Sequence, residues 1–586
     1  MKNTKVVCTI GPASESEEIL KRLIEEGMDV ARLNFSHGTH EEHLVKIKRL
    51  KKLRRALGVP LAIALDTKGP EIRLGNFKDH QPVSLHRGDA ITLTTRTIEG
   101  SAEAVSISYQ GLPADVKPGA RILIDDGLVE LQVESVTDDT DIHCRAMNYG
   151  EISDHKGVNV PGTNVKLPAI TPQDRADILF GLEAGIDIIF ASFIRTSSDV
   201  LEIRQLLEEN GGSEIQIFPK IESQQGVQNL EEILPSCDGI MVARGDLGVE
   251  IPTQEVPLVQ KQIIRMANNA GKPVITATQM LDSMSRNPRP TRAEVNDVAN
   301  AILDGSDAIM LSGETAAGLY PAESVRQMRM IAETVEGSPD FLNSIADRQR
   351  WISPNTSAAI ARSTCMIAQQ TRTRAIVAAT SSGFTARQIS SYRPLIPIIA
   401  VTPDEKVYHQ LSIVWGVTPM ISQNSLETDE LVDRSILAAL KTKLVREGDQ
   451  IILTAGIPSG FGSQTNMIKV HTIGDILVMG QGIGKQSVVG QVVVGSTAKE
   501  LEGRFEEGAI LVARFTGADM IPFITKASAV IVEEGGLTSH AAVVGLHYGK
   551  PTIIGARNAT RSMQDGMTVT VDATTGIVYA GSSKVL

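Results

Sequence analysis

Eight short apolar runs, each about one strand long, recur through roughly the first 335 residues and alternate with segments of helical periodicity. The runs are residues 6–10, 29–34, 61–66, 186–193, 215–221, 239–243, 273–278 and 307–311. Helix-like segments such as 16–26, 40–57, 199–209 and 257–270 lie between them. Strands buried on both faces read as continuous apolar runs, and parallel strands need crossovers, usually helices. Eight βα units of this kind predict a closed (β/α)8 TIM barrel, whose functional residues gather at the C-terminal ends of the strands.

The third unit is interrupted. From about residue 71 to 168 the pattern becomes alternating and β-rich, with turn signals Arg87-Gly88-Asp89, Lys117-Pro118-Gly119 and Asp125-Asp126-Gly127. Residues 70–168 read as a small β-barrel domain inserted at the top of the larger barrel, residues 1–69 and 169–340, where it can act as a lid. Residues 345–475 resume the βα alternation as an open α/β domain, with strands expected at 375–379, 396–401 and 450–454. The segment 480–484 (GQGIG) reads as a flexible linker. A final unit, 485–586, has strands expected at 491–494, 510–513, 529–532 and 568–572.

Net charge narrows the partners. With 57 Lys plus Arg against 69 Asp plus Glu, the chain carries −12, which argues against general nucleic-acid or anionic-membrane binding but leaves room for a local phosphate pocket. Cys8, Cys144, Cys237 and Cys365 are far apart and lack metal-ligand spacing, as free thiols in a reducing compartment would be. The start MKNTKVVCTIGPAS has no long apolar run with a cleavage site, and no stretch reaches membrane-spanning length. A cytoplasmic enzyme is expected.

Polar residues sit at the strand ends the barrel rule singles out. The second strand ends in Arg32-Leu33-Asn34-Phe35-Ser36, the third in Asp66-Thr67-Lys68-Gly69-Pro70-Glu71-Ile72-Arg73, and the fifth in Lys220-Ile221-Glu222. The sixth ends in Ala243-Arg244-Gly245-Asp246, the seventh in Thr278-Gln279-Met280, and the eighth in Ser312-Gly313-Glu314-Thr315. Glu222 and Asp246 offer hard oxygen ligands that suit Mg²⁺ together with substrate oxygens and water. Lys220 can neutralise a transferring phosphoryl group beside a metal. Arg32 and Arg73 can grip phosphate oxygens, and Gly245 permits close backbone approach to a carboxylate. Asn34, Ser36, Asp66 and Thr67 form an oxygen-rich cluster suited to a monovalent cation. Taken singly, Lys-x-Glu is usually a solvated strand end, Ala-Arg-Gly-Asp a turn, and Ser36 a helix cap. Their recurrence at successive strand ends points to metal-assisted phosphoryl transfer.

The strings CTIGPAS, ARLNFSHG, LDTKGPEIR, KGVNVPG, PKIES, MVARGDLGVE, PVITATQMLDSM and MLSGETAAGLYP resemble the pyruvate kinase family, in order and over about the first 475 residues. The resemblance implies phosphoenolpyruvate plus ADP giving pyruvate plus ATP, with Mg²⁺ (or Mn²⁺) and K⁺, in a homotetramer under allosteric control. It also implies roles. Arg32 would bind the phosphate of phosphoenolpyruvate, and Lys220 would stabilise the phosphoryl group in flight. Glu222 and Asp246 would bind Mg²⁺, and Asn34, Ser36, Asp66 and Thr67 would hold K⁺. Arg73 and the lid residue Lys156 would contact nucleotide. Ala243, Arg244, Gly245 and Thr278 would surround the substrate carboxylate and enolate, with Glu314 and Ser312 supporting proton delivery. Glu71 matches the K⁺-dependent members, whereas Ala317 stands where some relatives have a lysine.

Two further segments carry expectations. Thr380, Ser381, Ser382, Gly383 and Thr385 run from a strand into a helix expected to start at Ala386, and resemble the family's effector-phosphate loop. The partner loop 456–466 lacks the arginine and tryptophan that grip fructose 1,6-bisphosphate in some relatives, so a sugar or nucleotide monophosphate is expected instead. The string EGGLTSHAA resembles the swivelling phosphohistidine domain of phosphoenolpyruvate synthase and pyruvate phosphate dikinase, which makes His540 a candidate phosphohistidine. Those enzymes also use an ATP-grasp domain, for which this chain has no room. The favoured reading is therefore a retained domain that packs on its neighbour, stabilises the oligomer or tunes regulation. Rival functions are a metal-dependent lyase or aldolase, a phosphohistidine relay through His540, and a catalytically dead scaffold. The lid lysine with Arg73 argues against the first, and the full set of rim residues against the last.

Overall fold

The computed structural model describes residues 2–348, 355–371, 373–423, 427–456, 465–474 and 476–581. The eight expected runs are all strands: β1 (Lys5–Thr9), β2 (Val30–Asn34), β3 (Ala62–Asp66), β4 (Ile188–Ala191), β5 (Gln216–Ile221), β6 (Ile240–Ala243), β7 (Val274–Ala277) and β8 (Ala308–Leu311). They close into a parallel barrel in which each strand pairs with its neighbours in sequence order and β8 returns to β1. Phe190 and Phe218 meet edge-on in the interior at 6.0 Å. A Cβ on Gly239 would stand 2.1 Å from the Phe218 ring, so that position admits only glycine.

Local sequence sets the helix starts. Thr39 with Glu42, Thr171 with Asp174, Thr196 with Asp199 and Thr291 with Glu294 each form a capping box, satisfying donors that a helix start leaves unpaired. The helix His40–Leu57 presents Ile47, Leu50 and Leu53 to the shared core and ends at Gly58 in the left-handed region.

Between β3 and the helix Pro172–Ala184 lies the expected insertion. Seven strands form one sheet, running in spatial order from Ile72–Arg73 through Gly157–Asn159, Arg121–Ile124, Val129–Thr137, Asp141–Ala146 and Ala90–Thr94 to Ala104–Ser106. A bridge between Leu74 and Ile107 brings the two ends of that sheet together, as a small barrel requires. Its own core includes Leu93, Ile122, Leu131 and Ile142.

The chain divides into two compact units, residues 1–365 with 378–426 and 455–466, and residues 366–377 with 427–454 and 467–586. Along the C-terminal α/β region, strands Ala375–Ala379, Ile398–Thr402, Val417–Ile421 and Gln450–Ala455 alternate with helices Thr356–Gln370, Phe384–Ser390 and Thr428–Lys441. The strand Val417–Ile421 was not expected; Thr418 and Pro419 break its apolar run.

In the second unit eight strands form one sheet. Here the linker expectation fails. Gln481–Ile483 is a strand paired with Thr552–Ile554, and Ile476–Met479 pairs with Ile577–Ala580. Cβ atoms on Gly480 and Gly482 would stand 2.4 Å from the Ile554 oxygen and 2.0 Å from the Ala573 oxygen. These glycines serve close backbone approach, not flexibility. Among the described residues no helix is long and apolar enough to cross a membrane, and all four cysteines are unpaired.

Candidate active site

A chain of charged contacts links the ends of β2, β3 and β5. Arg32 donates from Nε to Asp66 Oδ2 at 2.6 Å and from Nη1 to Thr9 Oγ1 at 2.9 Å. Lys220 Nζ lies 2.9 Å from Glu222 Oε1, 2.9 Å from Ser192 Oγ and 3.2 Å from Asp66 Oδ1. The Phe193 N–H donates to Glu222 Oε2 at 2.6 Å. Burial works against a charged Asp66, but Arg32 and Lys220 outweigh it and hold its carboxyl below the usual range. Burial likewise opposes the Lys220 ammonium, and Asp66 and Glu222 raise it above the ordinary lysine value. Burial pushes the Glu222 carboxyl up to about 8, opposed by Lys220 and reinforced by Asp246.

The ends of β6 and β7 are built around Thr278. Thr278 and Gln279 both adopt positive φ, 75° and 53°. For a β-branched residue this is strained backbone, which persists only where its surroundings impose it. Arg244 imposes it, donating to the carbonyls of Ala277 at 3.1 Å and Thr278 at 2.6 Å, with Asp297 Oδ1 at 2.7 Å fixing the far side of its guanidinium. The Arg244 side chain is thus engaged by backbone and Asp297, which leaves its main chain for the substrate-facing part expected of it. A Cβ on Gly245 would stand 2.9 Å from Thr278 Cγ2. Ala243 is buried at the end of β6, and Asp246 lies in the first turn of the helix Arg244–Glu250. Glu314 accepts the Leu281 and Ser312 N–H groups at 3.0 and 2.7 Å. Both of its oxygens are therefore engaged in holding loops, so the structure gives it a clamping place in addition to the proton-delivery part expected.

A cavity of about 360 Å³ opens beside this cluster, under the inserted domain. Arg73, Lys156, Asp126, Phe193, Asp246 and Glu250 are among its walls; Lys220 and Glu222 are not. Phe193 and Asp246 are its points of contact with the cluster. Lys156 Nζ pairs with Asp125 at 2.9 Å, and Arg73 with Glu71 at 2.6 Å. Asn159 of the insert donates to Glu250 Oε1 at 2.9 Å. Burial raises the Asp126 and Glu250 carboxyls, and Asp246 adds to both.

The donor set fits a divalent cation that shares its coordination with substrate. Glu222 Oε1 is buried without a hydrogen-bond partner beyond its ion pair, and Asp246 is close enough to shift Glu222. Among the described residues no cluster of three or more His, Cys, Asp and Glu side chains could hold a metal alone. Two carboxylates plus ligand oxygens and water are what Mg²⁺ accepts. Of the residues expected to hold K⁺, Asp66 is committed to Arg32, Lys220 and Ser192. Thr67 is buried, with Oγ1 accepting the Ser192 N–H. Asn34 Oδ1 accepts the Ser36 N–H at 3.1 Å.

The remaining sequence-derived sites lie elsewhere. Thr380, Ser381, Ser382 and Gly383 lead into the helix Phe384–Ser390, which starts two residues before the expected Ala386 because Gly383, at φ 79°, can turn the chain there. Thr385 Oγ1 lies 2.8 Å from Thr465 Oγ1. Most of the partner loop, residues 457–464, lies outside the described residues. His540 opens the helix His540–His547 behind the N-cap Ser539, with Nδ1 2.9 Å from Thr516 Oγ1.

Sequence reasoning missed the end of β4. Ser192 touches Lys220, Asp66 and Thr67, while Phe193, at φ 54°, holds Glu222. The rule that read the other rim residues would have found this Ser-Phe-Ile-Arg run had it been applied to the fourth strand.

Comparison with known proteins agrees with this geometry. Residues 1–325 match the family described as "Pyruvate kinase, barrel domain", 358–471 match "Pyruvate kinase, alpha/beta domain", and 505–576 match "PEP-utilising enzyme, mobile domain". The chain is 51% identical to a pyruvate kinase of Sporosarcina psychrophila and 50% identical to one of Staphylococcus epidermidis, covering 100% of both chains in each case. A crystal structure of a pyruvate kinase from Cryptosporidium parvum superposes with a TM-score of 0.76 at 39% identity, covering 80% of this chain and 96% of that one. A barrel with a strained threonine and a buried lysine–carboxylate cluster at its rim, matched over its full length by such relatives, belongs to the pyruvate kinase family of transferases.

Proposed function

We propose that the chain transfers the phosphoryl group of phosphoenolpyruvate to ADP with Mg²⁺ (or Mn²⁺) and K⁺, and that the residues at the strand ends divide the work. The observation that supports this most is the placement of Lys220 between Asp66, Glu222 and Ser192, beside a cavity that also exposes Asp246, Arg73 and Lys156. Phosphoryl transfer calls for positioning and charge neutralisation more than covalent chemistry. Arg32 grips the phosphate of the substrate. Lys220 neutralises the group as it moves, and Arg73 and Lys156 hold the nucleotide. Mg²⁺, held by Glu222 and Asp246, supplies further charge neutralisation when bound. Ala243, Arg244 and Gly245 present backbone to the substrate carboxylate, and Thr278 places its hydroxyl near the enolate carbon that takes up a proton. Asn34, Ser36, Asp66 and Thr67 hold K⁺.

The reading extends to regulation and assembly. A phosphorylated metabolite binds at Thr380, Ser381, Ser382, Gly383 and Thr385, and the enzyme is a cytoplasmic homotetramer divided at the domain boundaries drawn from sequence. The tail is a retained domain and not a phosphoryl carrier. Acid-labile label from ³²P-phosphoenolpyruvate, present in the native protein and lost in His540→Ala, would overturn that last point.

Pyruvate formation from phosphoenolpyruvate and ADP, measured with and without each cation, tests the whole. Turnover should require the divalent ion and fall when tetramethylammonium replaces K⁺. No pyruvate under full conditions would refute the reaction, and undiminished turnover without K⁺ would refute the monovalent site.

A further inference from the structure

The loop after β4, residues 192–195, touches both connections to the inserted domain. On the outgoing side, a Cβ on Gly69 would stand 2.7 Å from Ser192 Cβ and 2.8 Å from Phe193 Cδ2, and Gly69 has φ 78°. That connection therefore lies directly against the loop, and Asp174 fixes it further by accepting the Gly69 N–H at 2.9 Å. On the returning side, Arg195 donates from Nη1 to the Val165 oxygen at 2.9 Å and from Nη2 to the Leu167 oxygen at 2.6 Å, with the Pro168 oxygen at 3.4 Å.

Arg195 is only 9% exposed, and its nearest carboxylate, Asp199, is 3.9 Å away. Its guanidinium makes its hydrogen bonds to insert backbone, with Asp199 at the outer edge of ion-pair distance. The loop is itself anchored, since Asp199 accepts the Arg195 N–H at 2.8 Å and Asn229 donates to the Arg195 oxygen at 2.9 Å. The same residues reach the charged cluster through Ser192 Oγ on Lys220 and the Phe193 N–H on Glu222. Phe193 does so in left-handed backbone, so its aim depends on what holds the loop.

We propose that Arg195 is a positioning residue for phosphoryl transfer. It fastens the returning segment of the lid to the loop that orients Lys220 and Glu222, so that the lid wall and the charged cluster meet in one register. The inference rests on reading the lid cavity as the nucleotide site.

Arg195→Lys tests it, because an ammonium keeps the charge and stem but cannot span three carbonyls as a planar fork does. Arg195→Gln removes the charge as well. We expect the KM for ADP to rise about fivefold and kcat to fall about tenfold, the cost of loosened positioning. The KM for phosphoenolpyruvate should stay within about twofold, since Arg32 and its contacts are untouched. Protease cleavage within residues 70–168 should quicken, and ADP should protect the variants less than the native enzyme. A purely structural role would lower the melting temperature and the active fraction while leaving the KM for ADP and the cleavage pattern native. That result, or native behaviour of both variants, overturns the proposal. Hydrogen exchange on the native enzyme supplies a readout free of mutation: segments 163–170 and 192–195 should gain protection together on adding ADP, and independent behaviour sinks the coupling. If the native enzyme made no pyruvate, the functional reading would fail, while the cleavage comparison would still decide whether Arg195 holds the lid.

Discussion

Arg244 donates to the Thr278 carbonyl oxygen at 2.6 Å, and so the first residue after β6 fixes the strained residue after β7. Arg244→Lys keeps the charge but loses the fork that reaches Ala277, Thr278 and Asp297 together. Thr278 should then relax toward ordinary backbone, and kcat for pyruvate formation should fall by about tenfold to a hundredfold, the scale of a misplaced catalytic group. Steady-state kinetics set beside the melting temperature check this: a loss of stability with unchanged kcat would refute it.

Gly245 is the sterically exposed partner of the same threonine. A methyl group at this position would stand 2.9 Å from Thr278 Cγ2. Gly245→Ala should reduce kcat about tenfold while costing no more than about 1–3 kcal/mol of stability. Full activity in the variant would show that Thr278 has room to move without consequence.

Lys220 is the cation common to Asp66 and Glu222. Lys220→Met should lower turnover by about a thousandfold, the upper range for removing one electrostatic contact from a dry site. Phosphoenolpyruvate affinity, read by calorimetry, should change little, because Arg32 keeps its own contacts with Asp66 and Thr9. A near-native rate would remove Lys220 from the reaction.

His409 gives a pH prediction independent of catalysis. It is 4% exposed, and neither ring nitrogen has a hydrogen-bond partner. Burial, with Arg54, Lys51 and Arg55 nearby, lowers its pKa to about 3. An unfolded histidine titrates near 6.5. Between those values the unfolded chain binds a proton that the folded chain refuses, so stability is lost as pH falls from about 6.5 toward 3. The melting temperature should drop across pH 7 to 5 in the native protein and drop less steeply in His409→Phe. Parallel curves would exclude His409 as the cause.

The barrel was legible because its strands are buried on both faces. Each shows as a mostly apolar run, and each observed strand lies within two residues of its expected ends. The cap of the helix His40–Leu57 was misplaced: Ser36 was the candidate read from sequence, and the structure puts the N-cap at Thr39, whose capping box with Glu42 closes three residues later. Residues at the strand ends were legible by type, but their partners were not. The expected place of Arg244 near the substrate said nothing of its side-chain grip on Ala277 and Thr278, which lie 33 and 34 residues away in the chain. Glu314 was expected to support proton delivery, and its hold on the Leu281 and Ser312 N–H groups could not be read from its type. Such pairings arise only when distant strand ends meet. The GQGIG segment failed for a related reason: a glycine that admits a neighbouring backbone and a glycine that lets a chain flex are the same letter.

That segment has a practical consequence. Ile476–Met479 and Gln481–Ile483 are the two outermost strands of the eight-stranded sheet, and they are consecutive in the chain. A fragment begun at residue 485, to study the tail alone, would lack both. The strands Ile577–Ala580 and Thr552–Ile554 would become bare edges with unpaired N–H and carbonyl groups, a template for association with other copies. Self-association of such a fragment would then report where it was cut, and would say nothing about how the intact enzyme assembles.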